Sequence, residues 1–140
     1  NQKMGKSLGT AIHLSDTPEE ITKKVMSAVT DPNRIRKDDK GNPDICMVAY
    51  YHNLFTNKED CKKVCEECKA GARGCVACKK ELAQNIINFL APMREKRKYY
   101  EERPELVDKM LIEGTEKARK TAKETMKKVK KAMRLDYFSN

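Results

Sequence analysis

The chain is 140 residues long, room for one ordinary domain but not for two catalytic domains with separate cores. Charged residues make up 36% and apolar residues 39%, so a modest core sits beneath a large ionic surface, and the longest apolar run, Ile86 to Met93, is far too short to cross a bilayer. Thirty Lys plus Arg against twenty-one Asp plus Glu leave a formal charge of +9, which points to a polyanionic partner, nucleic acid first.

Residues 1 to 16, with Gly5, Gly9 and the pair Ala11 and Ile12, read as a flexible loop and connector. Thr17, Pro18 and Glu20 form an N-cap, a proline at the first helical position and a capping-box acid. The spacing of Ile21, Val25 and Val29 then predicts a helix that runs until Asp31-Pro32. Residues 31 to 44 are polar, hold Pro32, Gly41 and Pro43, and read as a loop. The run from Ile45 to Phe55 is apolar on nearly every side, the mark of a helix buried among others. A charged segment from Asn57 to Lys69 comes next without an assigned element, and Gly71 and Gly74 mark a turn.

A further helix opens near Val76, with Leu82, Ile86, Phe89, Leu90 and Met93 in three-or-four-residue steps and Pro92 expected to kink it. The last element is the clearest. Val107, Leu111, Gly114, Ala118, Ala122, Met126, Val129 and Met133 make one apolar or small stripe, and Pro104 and Glu105 suit the positive end of such a helix. No strand pattern competes. The fold is predicted to be an all-α helical bundle with a long C-terminal helix, preceded by a flexible signature loop.

Six cysteines, Cys46, Cys61, Cys65, Cys68, Cys75 and Cys78, fall within 33 positions. No secretory signal pattern precedes them, and a Lys-rich helical chain fits a reducing, cytoplasmic compartment, where clustered thiols are more often metal ligands than disulfides. Thiolates hold zinc or iron–sulfur clusters. Two four-thiolate sets compete on spacing: the local Cys65, Cys68, Cys75 and Cys78, or the set in which Cys46 replaces Cys65. The bland alternative is six free thiols. Lys62, Lys63, Lys69, Arg73, Lys79 and Lys80 crowd the region and are expected to lower the thiol pKa values.

Between Lys117 and Arg134 there are nine basic residues and one acid, Glu124, a run that reads either as a solvated face or as a phosphate-contacting one. Arg34, Arg36 and Lys37 in the polar loop are further candidates for RNA contact, with an arginine fork able to grip a base edge or phosphate. Tyr50, Tyr51, Tyr99, Tyr100 and Tyr137 are candidate base-stacking partners, most of them expected to pack within the fold, and His13 and His52 are read as ordinary structural histidines. Lys3-Met4-Gly5-Lys6-Ser7 sets two ammonium groups three apart around a glycine, with a hydroxyl behind.

The stretch that opens with that pentapeptide, KMGKSLGTAIHLSDTPEEITKKVMSAVTDPNRIR, resembles the segment after the catalytic fold in bacterial tryptophanyl-tRNA synthetases, where the Lys-Met-Ser-Lys-Ser signature of class I lies. The likeness continues through GNPDIC, YHNLF, GCVACKKELAQNI and the closing helix, and so spans essentially the whole chain. The resemblance implies activation of tryptophan by ATP with magnesium and transfer to tRNA(Trp). It implies Lys3 and Lys6 as the catalytic pair within an ATP-binding loop of Lys3, Met4, Gly5, Lys6 and Ser7, although Gly5 stands where the family carries serine. In one subset of the family a four-Cys motif holds a [4Fe-4S] cluster, and Cys46, Cys68, Cys75 and Cys78 match it, with zinc as the alternative occupant.

On that likeness residues 1 to 16 are a signature loop and connector, 17 to 135 a helical anticodon-binding domain with a Cys-rich centre, and 136 to 140 a tail. The Rossmann fold and tryptophan pocket of the family have no counterpart here, so the chain is expected to be an inactive C-terminal fragment of a homodimeric enzyme that touches no membrane. The other reading is a stand-alone, metal-stabilised RNA-binding module without catalysis.

Overall fold

The computed structural model describes residues 9–135 and 137. It is all-α: among the described residues there is no strand. The elements are α1 (Pro18–Ser27), a 3-10 turn (Pro43–Ile45), α2 (Met47–Phe55), α3 (Lys58–Ala70), α4 (Cys75–Glu101) and α5 (Pro104–Ala132). None of these helices is long and apolar enough to cross a membrane. The chain divides into two compact units, one up to Glu95 and one from Lys96 onward.

α1 begins as its sequence predicts. Glu20 N–H donates to Thr17 Oγ1 at 3.2 Å, and Thr17 N–H donates to the Glu20 carboxylate at 2.8 Å, so two orphan donors of the first turn are satisfied reciprocally. The helix ends earlier than expected, at Ser27; Ala28 is extended and Val29 is 74% exposed. The loop beyond it is held by buried Asp31, whose carboxylate accepts from Asn33 N–H at 2.9 Å and from Asn42 N–H at 2.8 Å, tying together the two ends of the 31–42 segment.

The expectation that α2 is buried all round is corrected. Val48, Ala49 and His52 are buried on one face, whereas Met47, Tyr50 and Leu54 are exposed. The segment left unassigned, 57–69, is helix α3. Asn57 caps it by accepting from Asp60 N–H at 2.9 Å, Glu59 and Asp60 sit in its positive first turn, and Gly71 closes it in the left-handed region at φ 76°. Its inward stripe, Cys61, Val64, Cys65 and Cys68, has ordinary helical spacing, written mostly in thiols.

The core joins Ile21 and Val25 of α1, Val48 of α2, and Leu82, Ala83, Ile86 and Leu90 of α4. Burying each of the larger aliphatic side chains contributes about 1.5–3 kcal/mol. α4 carries Pro92 within its span and remains helical beyond it; the proline lies on the exposed side, where water can satisfy the carbonyl that loses its donor.

In the second unit, Arg103 lies 4.2 Å above the Tyr99 ring and donates from Nη1 to the Tyr99 carbonyl at 3.0 Å. α5 then runs for 29 residues, about 43 Å at 1.5 Å per residue. The predicted stripe is present along it, yet no residue of α5 is buried.

Candidate metal centre

Four elements bring the cysteines together. The 3-10 turn ends on Cys46, which precedes α2 in an extended conformation. α3 contributes Cys65 and Cys68, one turn apart on one face. Gly71 then reverses the chain, with Gly71 N–H donating to Cys68 O at 3.1 Å and Ala72 N–H to Glu67 O at 2.9 Å. After three more residues α4 begins at Cys75, and Cys78 lies one turn later.

The 31–42 loop closes over this corner. Gly41 N–H donates to Cys68 O at 2.9 Å, and a Cβ on Gly41 would stand 2.6 Å from Cys68 Sγ, so only glycine lets the loop lie against that sulfur. A Cβ on Gly71 would collide with the Asp38 carbonyl oxygen. The two glycines thus let the loop, the end of α3 and the turn meet.

Cys46, Cys65, Cys68, Cys75 and Cys78 line a small cleft, a cavity of about 20 Å³ that is partly open to solvent. Among the described residues no carboxylate lines it; the charged residues in its wall are Arg34 and Arg73. Arg34 donates from Nη2 to Lys37 O at 2.5 Å and Arg73 O at 2.7 Å, and from Nη1 to Cys68 Sγ at 3.7 Å. Arg73 grips Glu67 of α3 through Nη1 at 2.9 Å and Glu81 of α4 through Nη2. Each arginine leaves its Nε buried without a hydrogen-bond partner among the described residues.

His52 is fully buried, with Nε2 3.2 Å from the Cys78 carbonyl oxygen and 3.4 Å from Cys78 Sγ. The carbonyl can only accept, which places the ring proton on Nε2. Nδ1 then accepts from Thr56 Oγ1 at 2.9 Å, while that hydroxyl accepts from Asn85 Nδ2 at 2.8 Å. Burial holds the His52 pKa below its ordinary value, in keeping with a neutral ring. The reading of His52 as structural stands, but the sequence carried no sign that it touches a cysteine.

The expectation that the surrounding basic residues lower the thiol pKa values meets an opposing effect at Cys65, Cys68 and Cys78, where burial outweighs it. Burial pushes the Cys78 thiol up to about 11; Arg73 opposes the rise, and Cys46 and Cys68 add to it. Burial also raises Cys68, against Arg34, and Cys65, with Cys61 adding. Lys62, Lys63 and Lys80 are exposed, where solvent screens them, while exposed Lys69 still opposes the rise at Cys65. Lys79 donates to Met26 O at 2.9 Å.

The donor set fits a thiophilic group. Soft sulfur ligands select zinc or iron–sulfur centres over oxygen-seeking cations, and two unpartnered buried N–H groups in the wall suit an anionic occupant. Among the described residues no three His, Cys, Asp or Glu side chains converge closely enough to hold one metal ion as they stand. The sulfurs line a space; they do not meet at a point.

Other expected site residues fare differently. Arg34 is turned inward onto Cys68 and two carbonyls, so its fork is engaged within the protein. Arg36 and Lys37 are exposed on the loop, and all nine basic residues of 117–134 are exposed. Contrary to the expectation that most tyrosines pack inside, Tyr50, Tyr99, Tyr100 and Tyr137 are exposed. Lys3, Met4, Gly5, Lys6 and Ser7 lie outside the described residues, as does most of the 136–140 tail. Sequence reasoning counted Arg73 only as one cation in a crowd; its link between two helices at the cavity wall has no signature in the sequence.

An all-helical chain with this glycine-linked cysteine corner has a clear family. A family model described as tRNA synthetases class I (W and Y) matches residues 1–91, and the chain belongs to that family. It is 47% identical over 135 residues to the tryptophan--tRNA ligase of Aquifex aeolicus, covering 96% of this chain and 34% of that protein. To the tryptophan--tRNA ligase of Thermotoga maritima it is 42% identical, covering 96% of this chain and 41% of that one. The crystal structure of tryptophanyl-tRNA synthetase from Campylobacter jejuni superposes with a TM-score of 0.83 at 26% identity, over 95% of this chain and 42% of that one. The chain therefore spans about a third to two-fifths of the length of these relatives.

Proposed function

We propose that this chain contributes to ATP-dependent tryptophanylation of tRNA as part of a tryptophan–tRNA ligase, carrying the signature loop and the helical tRNA-binding region. The observation that carries the reading is the breadth of the match: tryptophan–tRNA ligases align with nearly the whole chain, at up to 47% identity. Lys3 and Lys6, with Met4, Gly5 and Ser7 as the loop between and after them, place two ammonium groups against the triphosphate. There they stabilise the charge that develops, with magnesium, as the tryptophan carboxylate attacks the α-phosphate. Gly5 offers no hydroxyl, so the lysines and Ser7 supply the side-chain contacts.

The helical region binds the anticodon end of the tRNA. Support comes from the fully exposed cationic length of α5, from exposed Arg36 and Lys37, and from exposed tyrosines able to stack on unpaired bases. Arg34 contributes by holding the loop that presents Arg36 and Lys37. Cys46, Cys68, Cys75 and Cys78 hold a [4Fe-4S] cluster, with zinc the second candidate. Support for such a centre is the all-sulfur character of the donors that line this corner, which would suit an iron–sulfur cluster or zinc. Such a centre supplies a covalent cross-link between the start of α2, the end of α3 and the start of α4. The raised thiol pKa values mean that loading releases protons to solvent.

Three measurements test this. Binding of tRNA(Trp) to the chain should weaken steeply with salt, and tRNA with an altered anticodon should bind less tightly; equal affinity for both overturns the anticodon assignment. Anaerobic purification should give a brown protein with broad absorbance near 400 nm and about four irons per chain, whereas one zinc and no colour selects the alternative. Pyrophosphate exchange dependent on tryptophan is expected from the full enzyme and absent from this chain alone.

A further inference from the structure

No residue of α5 is buried, although its apolar stripe runs from Val107 to Met133, the length of the helix. Leu111 is 62% and Met126 50% exposed, and a Cβ placed on Gly114 would meet nothing within 4 Å. A continuous apolar row left in water marks an interaction surface.

Two properties of the helix say what fits that surface. The first is spacing. The stripe steps by 4, 3, 4, 4, 4, 3 and 4 residues, an order that reads the same from either end about Lys120. A second copy of α5 laid antiparallel therefore presents the same face in register. Leu111 meets Val129, Gly114 meets Met126 and Ala118 meets Ala122, each pair occurring twice about a two-fold axis. Bare Gly114 leaves room for the long Met126 side chain, and alanines at the centre let the two helix axes approach to about 8 Å.

The second property is charge. From Pro104 to Glu116 the helix bears four acids, Glu105, Asp108, Glu113 and Glu116, and one base, whereas residues 117–134 bear nine bases and one acid. Antiparallel packing sets the acidic part of each copy against the basic part of the other. Parallel packing would bring the nine bases of both copies side by side. Charges more than about 8 Å apart are screened at physiological salt, so the groups directly across the pair decide its direction. None of the nine bases belongs to the stripe, so pairing leaves the cationic faces available to phosphate.

We propose that α5 is a self-association surface, through which two copies of this chain pair antiparallel as a two-fold dimer. The pairing depends neither on the cysteine corner nor on the reading of the chain as part of a ligase. The rival occupant is the remainder of a longer ligase, since the chain covers 34% of one relative and 42% of another.

Sedimentation equilibrium of the chain, from low micromolar to millimolar concentration, tests this. The mass should rise from 16.1 kDa toward twice that value. Leu111→Ser should weaken the dimer at least about tenfold, because the two-fold axis makes one substitution act at two contacts. Met110→Ser, at an apolar residue 53% exposed but off the stripe, should weaken it less. Glu113→Lys should weaken an antiparallel pair and strengthen a parallel one. Far-ultraviolet circular dichroism controls for helix content, which substitutions at exposed positions should leave intact.

A chain that stays monomeric at every concentration overturns the proposal and leaves the stripe to the rest of a longer ligase. A dimer indifferent to Leu111→Ser, or weakened equally by Met110→Ser, overturns the assigned face. A dimer strengthened by Glu113→Lys overturns the antiparallel arrangement.

Discussion

α4 and α5 are nearly equal in length, 27 and 29 residues, and differ in almost everything else. The stripe on α5 is the cleaner of the two in sequence, yet none of its residues is buried, and Leu111 is 62% exposed. α4 has the less regular pattern and a proline in its span, yet it buries Leu82, Ala83, Ile86 and Leu90. Periodicity reports that a segment can be a helix with one apolar face; it does not report whether anything within the chain covers that face. Helices of this kind draw stability from different sources, α4 from packing and α5 from local propensity, Pro104 in its first turn and end charges.

The largest expected effect tests that division at the cysteine corner. Removing the proposed centre with a chelator, or by C78S, should cost the unit up to Glu95 an amount on the order of 10 kcal/mol, the scale of a structural thiolate site. Amide hydrogen exchange should accelerate across α3 and the start of α4 and stay unchanged along α5 from Gly114 to Lys131. Faster exchange in α5 to the same degree would erase the contrast between the helices.

Leu82→Ala should cost about 2–5 kcal/mol in urea unfolding, since it opens a cavity in a site only 2% exposed. Leu111→Ala, an equally conservative change on α5, should stay within about 0.5 kcal/mol in the dilute monomer. A similar loss at both positions would show that the α5 stripe is covered within the single chain. Gly71→Ala comes next, at about 1–3 kcal/mol, because it forces a left-handed φ on a side chain and drives a Cβ into the Asp38 carbonyl. Its second consequence should be displacement of the loop that holds Arg34 against Cys68, read as lower metal retention.

The smallest effect concerns Asp16. Burial alone would raise its carboxyl pKa, but Lys24 Nζ at 2.6 Å and the His13 N–H at 2.8 Å outweigh it and hold the pKa below the ordinary value of 3.8. A depressed carboxyl stabilises the fold above the unfolded pKa, and that contribution disappears as pH falls through the folded value. Lowering the pH from 6 to 3 should therefore lower the urea midpoint more for the wild type than for Asp16→Asn. An equal shift in both would assign the acid sensitivity elsewhere.

The helix starts were legible because they are local. Thr17, Pro18 and Glu20 satisfy each other's backbone within four residues, and Pro104 opens α5 with no help from the rest of the chain. The missed helix is equally instructive. α3 carries the usual three-and-four spacing, but its inward positions are Cys61, Val64, Cys65 and Cys68, and thiols considered only as ligands conceal the stripe they form. The candidate ligands were visible as a cluster, whereas the arginine wall and the histidine on Cys78 were not.

Chain order alone settled the helical periods outside α3, the cap at Thr17, the glycine turn between Cys68 and Cys75, and the likeness to a synthetase family, since each depends on residues a few positions apart or on the run of the whole chain. Burial required three dimensions. Arg34 turned from a candidate RNA contact into a clasp on Cys68 and Arg73, and burial raised the pKa of Cys68 and Cys78 although lysines surround them in sequence. The reason is common to both. A charge acts according to its distance and the medium between, and the packing of loop 31–42 and helices α2, α3 and α4 sets that distance and excludes the water that would otherwise screen it.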